Sequence, residues 1–400
     1  MEKYSENIGL KIAITLALCF LIAICEGFDL QSMGVAAPRM REEFGLNPTQ
    51  MGWIFSAAII GTLPGAIIGG RMADKIGRKK VLISSVLIFG LMSFLTPFIS
   101  EFSLLIIVRF LTGLGMGGAL PMMITIASEI VEEKYKTTAV NIMYSGIPCG
   151  GIIASVISML LNDPHEWRHI FYVGGIVPIL LVPLLMLFLS EFKVFKTINA
   201  SITPLKTVLF AQERRISTIL IWTSSFCTLI VLYFLINWMP LLMGAQGLTK
   251  IEASYVQIAY NLGGMCGSVL IGFMISKMKI SIIVKLIYAG ILASLCCLAI
   301  SHSLSSLVIS AIGCGIFIIG GQATLYGLAA IFYPSEMRGS GVGATVAVGR
   351  IGSFVGPLVA GMLLSLGSTP VMVISYTIPV ILIAALSVLI LVSKPAAVHA

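Results

Sequence analysis

Apolar runs of about 20 residues, the length a helix needs to cross a bilayer, recur along the whole chain. They centre near Ala23, Ile60, Gly90, Thr112, Ile152 and Pro178, then near Ile230, Gly264, Leu292, Ile318, Phe354 and Ile381. The spacing predicts an all-α membrane protein with about twelve transmembrane helices. The longest polar interruption, residues 190–215, carries Lys193, Lys196, Lys206, Arg214 and Arg215. It divides the chain into a six-helix bundle over 1–190, a linker over 191–213 and a second six-helix bundle over 214–400.

Charge placement orients this arrangement. Basic residues crowd one set of loops: Lys3 and Lys11, Arg71 to Lys80, Lys134 and Lys136, the linker, Lys277 and Lys279, Arg338 and Lys394. The opposite set keeps Arg39, Arg41, Arg168 and Lys250. The positive-inside rule then predicts cytoplasmic N- and C-termini, and the chain is read as a multi-pass protein of the inner membrane. Composition agrees, with 58% hydrophobic residues and 10% charged. A net charge of +8 is read as loop bias and not as a nucleic-acid surface. All eight cysteines lie in apolar stretches without metal-ligand spacing, so they read as core fillers and no metal is expected. No small-residue cleavage site follows the first run, which is read as a retained span.

Four charges fall inside the spans. Glu26 and Asp29 lie in the first, one helical turn apart and so on one face; Arg109 lies in the fourth and Arg350 in the eleventh. Each intramembrane acid costs about 2.5–3.5 kcal/mol even on the lenient insertion scale. Such residues mark a working site, most simply one facing a water-lined cavity. The structural alternatives are that the acids only pair with Arg109, that Arg109 only fastens its span, and that Arg350 is an ion-pair partner.

The halves echo one another. Gly70-Arg-Met-Ala-Asp74-Lys75 after the second span is answered by Gly272-Phe-Met-Ile-Ser276-Lys277 after the eighth, and Glu129 by Glu336. Parallel repeats of this kind suit a rocking transporter. In the longer segment Gly70-Arg-Met-Ala-Asp74-Lys75-Ile-Gly77-Arg78-Lys79-Lys80, Gly70 is expected to allow close helix contact, Gly77 a left-handed turn, and Asp74 to meet helix-end amides or an Arg. This segment resembles the signature loop of the major facilitator superfamily, and its position after the second span fits. Within that superfamily, Glu26-Gly27-Phe28-Asp29 resembles the acid-Gly-x-Asp motif of the aromatic acid:proton symporter family. Gln50-Met51-Gly52-Trp53-Ile54-Phe55-Ser56 and the stretch from Gly341 to Gly352 are similar to that family as well. Most members start the motif with Asp. Glu26 and its surroundings are similar to the arylpropionate-carrying branch and point away from benzoates.

The resemblance implies two six-helix bundles and import of an aromatic carboxylate of the phenylpropionate, hydroxyphenylpropionate or hydroxycinnamate type. Protons would drive it, with no cofactor and a monomeric carrier. It implies proton coupling at Asp29, with Glu26 as partner or alternative, sensed by Arg109. Arg350 would clamp the substrate carboxylate through its planar fork. Gln31, Tyr144, Asn237, Trp238, Tyr260, Asn261, Gln322 and Tyr326 could line the cavity, with Trp238 best suited to an interfacial belt. Glu129, Glu336 and Arg338, beside Asp74 and Arg78, resemble an inter-helix latch; ordinary end-capping is the alternative. Two rival functions remain. Gly146-Ile-Pro148-Cys-Gly150-Gly151 partly resembles an element of proton-driven drug exporters. An intramembrane enzyme or a sensor is more distant, because neither HExxH nor GxSxG is present.

Overall fold

A computed structural model describes residues 2–132, 135–161, 163, 166–189, 214–275, 277–333 and 338–393. They form thirteen α-helices: α1 (Glu2–Phe44), α2 (Pro48–Ile76), α3 (Arg78–Leu95), α4 (Phe102–Glu129), α5 (Lys136–Tyr144), α6 (Gly146–Leu160) and α7 (Trp167–Phe188), then α8 (Arg215–Ala245), α9 (Lys250–Ile275), α10 (Ile280–Ile300), α11 (Leu304–Phe332), α12 (Arg338–Ser365) and α13 (Pro370–Ser393). Among the described residues there are 12 segments long and apolar enough to cross a membrane, α5 and α6 together supplying one. The chain gathers into two compact units, one on each side of residues 190–213.

Two helices differ from the hydropathy pattern for local reasons. The fifth span breaks at Ser145, because Pro148 has no N–H to offer the carbonyl four residues back; the ladder resumes with Cys149 donating to Ser145. The first span continues past the apolar run, so Arg39 and Arg41 are helical and not loop residues. Arg39 is buried, and its Nη2 donates to the Leu161 carbonyl at 2.7 Å. It thereby serves one of the carbonyls at the end of α6, where the intrahelical donors run out.

Glycine stripes set the packing in each unit. In the first, Cβ atoms built on Gly61 and Gly65 of α2 would strike the carbonyls of Phe110 and Leu114 in α4. In the second, Gly263 and Gly267 of α9 stand in the same way against Ile312 and Ile316 of α11. The two contacts repeat at an offset of 202 residues. The same offset carries the Asn47–Gln50 capping box of α2 onto Thr249–Glu252 of α9, and the positive-φ Gly45 onto Gly247. The pairing of α1 with α6 recurs as α8 with α12: Gly146 and Gly150 against Phe20 and Ile24, then Gly352 and Gly356 against Phe226 and Ile230. Each unit is therefore built on one plan. Helices approach backbone to backbone where apolar burial between spans gives little drive and van der Waals packing must supply it.

Candidate functional site

Asp29 and Arg109 meet inside the first unit. Asp29 is 2% exposed and Arg109 0%, and the guanidinium Nη1 lies 3.3 Å from Asp29 Oδ2. The last turn of α3 and the 3₁₀ turn Thr96–Phe98 that follows it grip one partner each. Ser93 Oγ donates to Asp29 Oδ1 at 2.6 Å, and Arg109 Nη2 donates to Thr96 Oγ1 at 2.5 Å. The Thr96 hydroxyl spends its proton on the Met92 carbonyl, which leaves its lone pairs for the arginine. The Phe171 ring of α7 covers the guanidinium at 5.1 Å, a cation–π contact strengthened by burial. Taking one partner away from such a buried pair costs about 3–5 kcal/mol.

Local sequence explains how these groups reach one another. Gly27, between the two acids, lets α1 rest on Ile147 of α6, and Gly151 leaves space for the Gln31 side chain. One turn beyond Arg109, Gly113 and Gly117 press α4 onto Ala58 and Thr62 of α2, while Gly115 and Gly118 press it onto Phe89 and Ser85 of α3. Glu26 is 3% exposed, one turn before Asp29 on the same face of α1.

The second unit carries its own polar cluster. Arg350 of α12, partly buried, donates from Nη1 to the Tyr233 hydroxyl of α8 at 2.9 Å. Tyr326 of α11 lies within electrostatic range of both Arg350 and Tyr233. One turn earlier on α11, Gln322 reaches Ser225 Oγ with its Nε2 at 3.4 Å. Asn261 is buried and donates to Gln257 of its own helix. Chemically, this is a guanidinium with phenol and amide groups around it, suited to a carboxylate attached to a ring.

Not every residue expected at the site joins these clusters. Tyr144 ends α5 half-buried against the apolar core of the first unit. Trp238 is no belt residue: it is 2% exposed and its indole donates to the Pro357 carbonyl at 3.1 Å. In the signature segment, Gly70 meets open space, and the close helix contact belongs to Gly69 against Gly118. Gly77 adopts φ 93° and ψ 153°, a region essentially restricted to glycine. Arg78 pairs with Glu129, joining the start of α3 to the end of α4, while Asp74 is exposed. Glu336 and the Arg338 side chain lie outside the described residues.

Ser93, Thr96, Phe171 and Tyr233 were not singled out by sequence. A signal existed for one of them: Tyr233 lies four residues before Asn237 and eight after Ser225, on one stripe of α8. Ser93 and Thr96 gave none, because hydroxyls are common in spans and usually bond their own helix.

Comparison with known proteins agrees with the helical plan. The family described as Major Facilitator Superfamily matches residues 19–357. A 3-(3-hydroxyphenyl)propionate transporter of Escherichia coli (strain K12) is 44% identical over 384 residues, covering 96% of this chain and 95% of that protein. A 4-hydroxybenzoate transporter, PcaK, of Pseudomonas putida is 30% identical, covering 88% and 86%. Among solved structures, a bacterial homologue of the human lysosomal transporter Spinster superposes with a TM-score of 0.74 at 18% identity, covering 96% and 99%. A D-xylose-proton symporter gives 0.72 at 14% identity, covering 93% and 97%. Twelve membrane-spanning segments, a duplicated six-span plan and a match over most of its length make this chain a multi-pass membrane protein that belongs to the Major Facilitator Superfamily, a family of transporters and not of enzymes.

Proposed function

We propose that the protein is a proton-coupled secondary transporter that imports an aromatic carboxylate of the phenylpropionate, hydroxyphenylpropionate or hydroxycinnamate type across the inner membrane by alternating access. The observation that carries the reading is the buried Asp29–Arg109 pair with its Ser93 and Thr96 partners. A carboxylate held in a buried site and paired with a guanidinium changes the charge balance of the first unit when it takes up a proton. Asp29 carries that proton, with Glu26 as its partner one turn away. Arg109 then loses its salt bridge and is left with the contacts to Thr96 and Phe171 that it already makes.

Arg350, oriented by Tyr233, binds the substrate carboxylate, while Tyr326 and Gln322 meet the ring and its substituents. An aromatic acid of this class is supported by 44% identity to a transporter named for a hydroxyphenylpropionate, against 30% to one named for a hydroxybenzoate. The proton gradient supplies the energy with no cofactor, the carrier works as a monomer, and both termini are cytoplasmic.

Uptake by proteoliposomes tests this. A panel of benzoates, phenylpropionates and hydroxycinnamates is offered with and without an inward proton gradient. Phenylpropionates should accumulate above equilibrium only with the gradient. Gradient-independent equilibration would remove proton coupling, and proton-linked extrusion of dyes without acid uptake would favour the exporter.

A further inference from the structure

At the other end of α3 from the signature loop, a second ion pair touches the segment that holds Arg109. Glu43, near the end of α1, receives both arms of the Arg168 guanidinium, Nη1 at 2.9 Å and Nη2 at 2.5 Å. The third donor of that same group, Nε, reaches the Pro97 carbonyl at 3.1 Å. Pro97 is the middle residue of the 3₁₀ turn Thr96–Phe98 that finishes α3, and Thr96 is the residue that accepts from Arg109. Trp167 adds its indole N–H to Glu43 at 2.6 Å, so the carboxylate is held from two sides. Three residues after Arg168, Phe171 lies over Arg109. The first turns of α7 thus hold the Asp29–Arg109 site through both the turn and the ring.

We propose that Arg168 is a positioning residue of the proton site: bridging Glu43 and Pro97, it fixes the turn that presents Thr96 to Arg109 and so sets how tightly Arg109 holds Asp29. This rests on the reading of Asp29 as the proton carrier. Only arginine fits the task, since its planar fork covers the carboxylate while Nε faces the carbonyl; a lysine offers one point charge. The helix-end carbonyl would otherwise lack a donor. Once the turn loosens, Arg109 loses a fixed acceptor, its grip on Asp29 weakens, and protonation occurs at lower proton activity.

Other charges meet the same elements. Glu166 and His169 lie on or beside the start of α7, Asp163 precedes it, Glu101 follows the turn, and Arg39 and Arg41 lie on α1. Around Asp29 itself, Glu26 and Cys25 share α1. His169 is bonded to the Glu166 carbonyl and serves as the control for a titrating neighbour.

The test measures the pH of half-maximal 3-phenylpropionate uptake in proteoliposomes for Arg168→Gln, Arg168→Lys, Thr96→Val and His169→Gln. Arg168→Gln should move the midpoint upward by about half a unit or more. Arg168→Lys should fail to restore it, Thr96→Val should reproduce the shift, and the double variant should add nothing further, because one route carries both effects. His169→Gln should leave the midpoint in place. A purely structural Arg168 would lower the rate at every pH and keep the midpoint, which overturns the proposal, as would full additivity with Thr96→Val. Should Arg168→Gln fail to fold, Arg168→Lys and Thr96→Val decide by the same readout. Asp29→Asn separates the two claims. If it still shows gradient-driven uptake, the proton reading falls and this proposal with it; if it loses the drive while Arg168→Gln keeps the wild-type midpoint, only the role of Arg168 falls.

Discussion

The α-carbon of Gly27 rests on the carbonyl of Ile147, so closely that a methyl group built there would stand 1.9 Å from the oxygen. The glycine between the two acids is thus a packing residue. It fixes the depth of α1 against α6, and with it the height at which Asp29 meets Arg109.

Gly27→Ala should therefore act on the site through helix separation. The obstacle is backbone, not a flexible side-chain end, so α1 must move. We expect loss of uptake by at least tenfold and a lower melting temperature in detergent. Near-normal transport in Gly27→Ala would show that the contact yields more readily than its geometry implies.

Asp29→Asn keeps the shape of the side chain and can still accept from Ser93 and Arg109, but it holds no titratable proton. Counterflow between equal substrate pools should persist while accumulation driven by a pH step disappears. Both activities are read in the same vesicles, which separates a lost proton from a lost fold. The matching Glu26→Gln variant reports whether the neighbouring acid shares the load.

Arg350→Gln removes the charged donor next to Tyr233. A hydrogen bond to a charged group contributes about 1.5–3 kcal/mol, so KM for an aromatic carboxylate should rise between about tenfold and 150-fold. Tyr233→Phe leaves the charge and removes only the orienting phenol, so its effect should be smaller and in the same direction. Unchanged KM in Arg350→Gln would place the carboxylate elsewhere.

The Arg78–Glu129 pair is partly exposed, 26% and 41% at the side chains, so its static contribution is about 0.2–1 kcal/mol. Its larger effect should be on conformational exchange. Charge reversal at one position should slow transport at saturating substrate, and the exchanged pair Arg78→Glu with Glu129→Arg should recover most of the rate. Gly77→Ala, at φ 93°, should cost about 1–3 kcal/mol in backbone strain and show it as a lower melting temperature.

Hydropathy alone located the twelve spans found among the described residues, because a helix in lipid must present about 20 apolar residues whatever it packs against. The intramembrane charges were equally legible, since a charge in hydrocarbon is expensive wherever it points. Gly70 was misread for the opposite reason. Gly69 and Gly70 are adjacent and chemically identical, and only the rotation of α2 decides that Gly69 meets Gly118 while Gly70 meets nothing. Trp238 was misread likewise: amphipathic rings suit an interface, yet here the indole found a carbonyl acceptor inside the second unit.

What the chain's order of residues determined by itself is the number and approximate centres of the spans, the duplicated plan, and the fact that Asp29, Glu26, Arg109 and Arg350 must each find a use. Which groups meet was decided only by tertiary packing. Ser93, Thr96 and Phe171 come to the Asp29–Arg109 pair from α3, the turn that closes it and α7, and Arg168 reaches that turn at Pro97. Their hydroxyls, ring and guanidinium are unremarkable along the chain, and take on meaning only when glycine-lined contacts bring four helices within hydrogen-bonding distance.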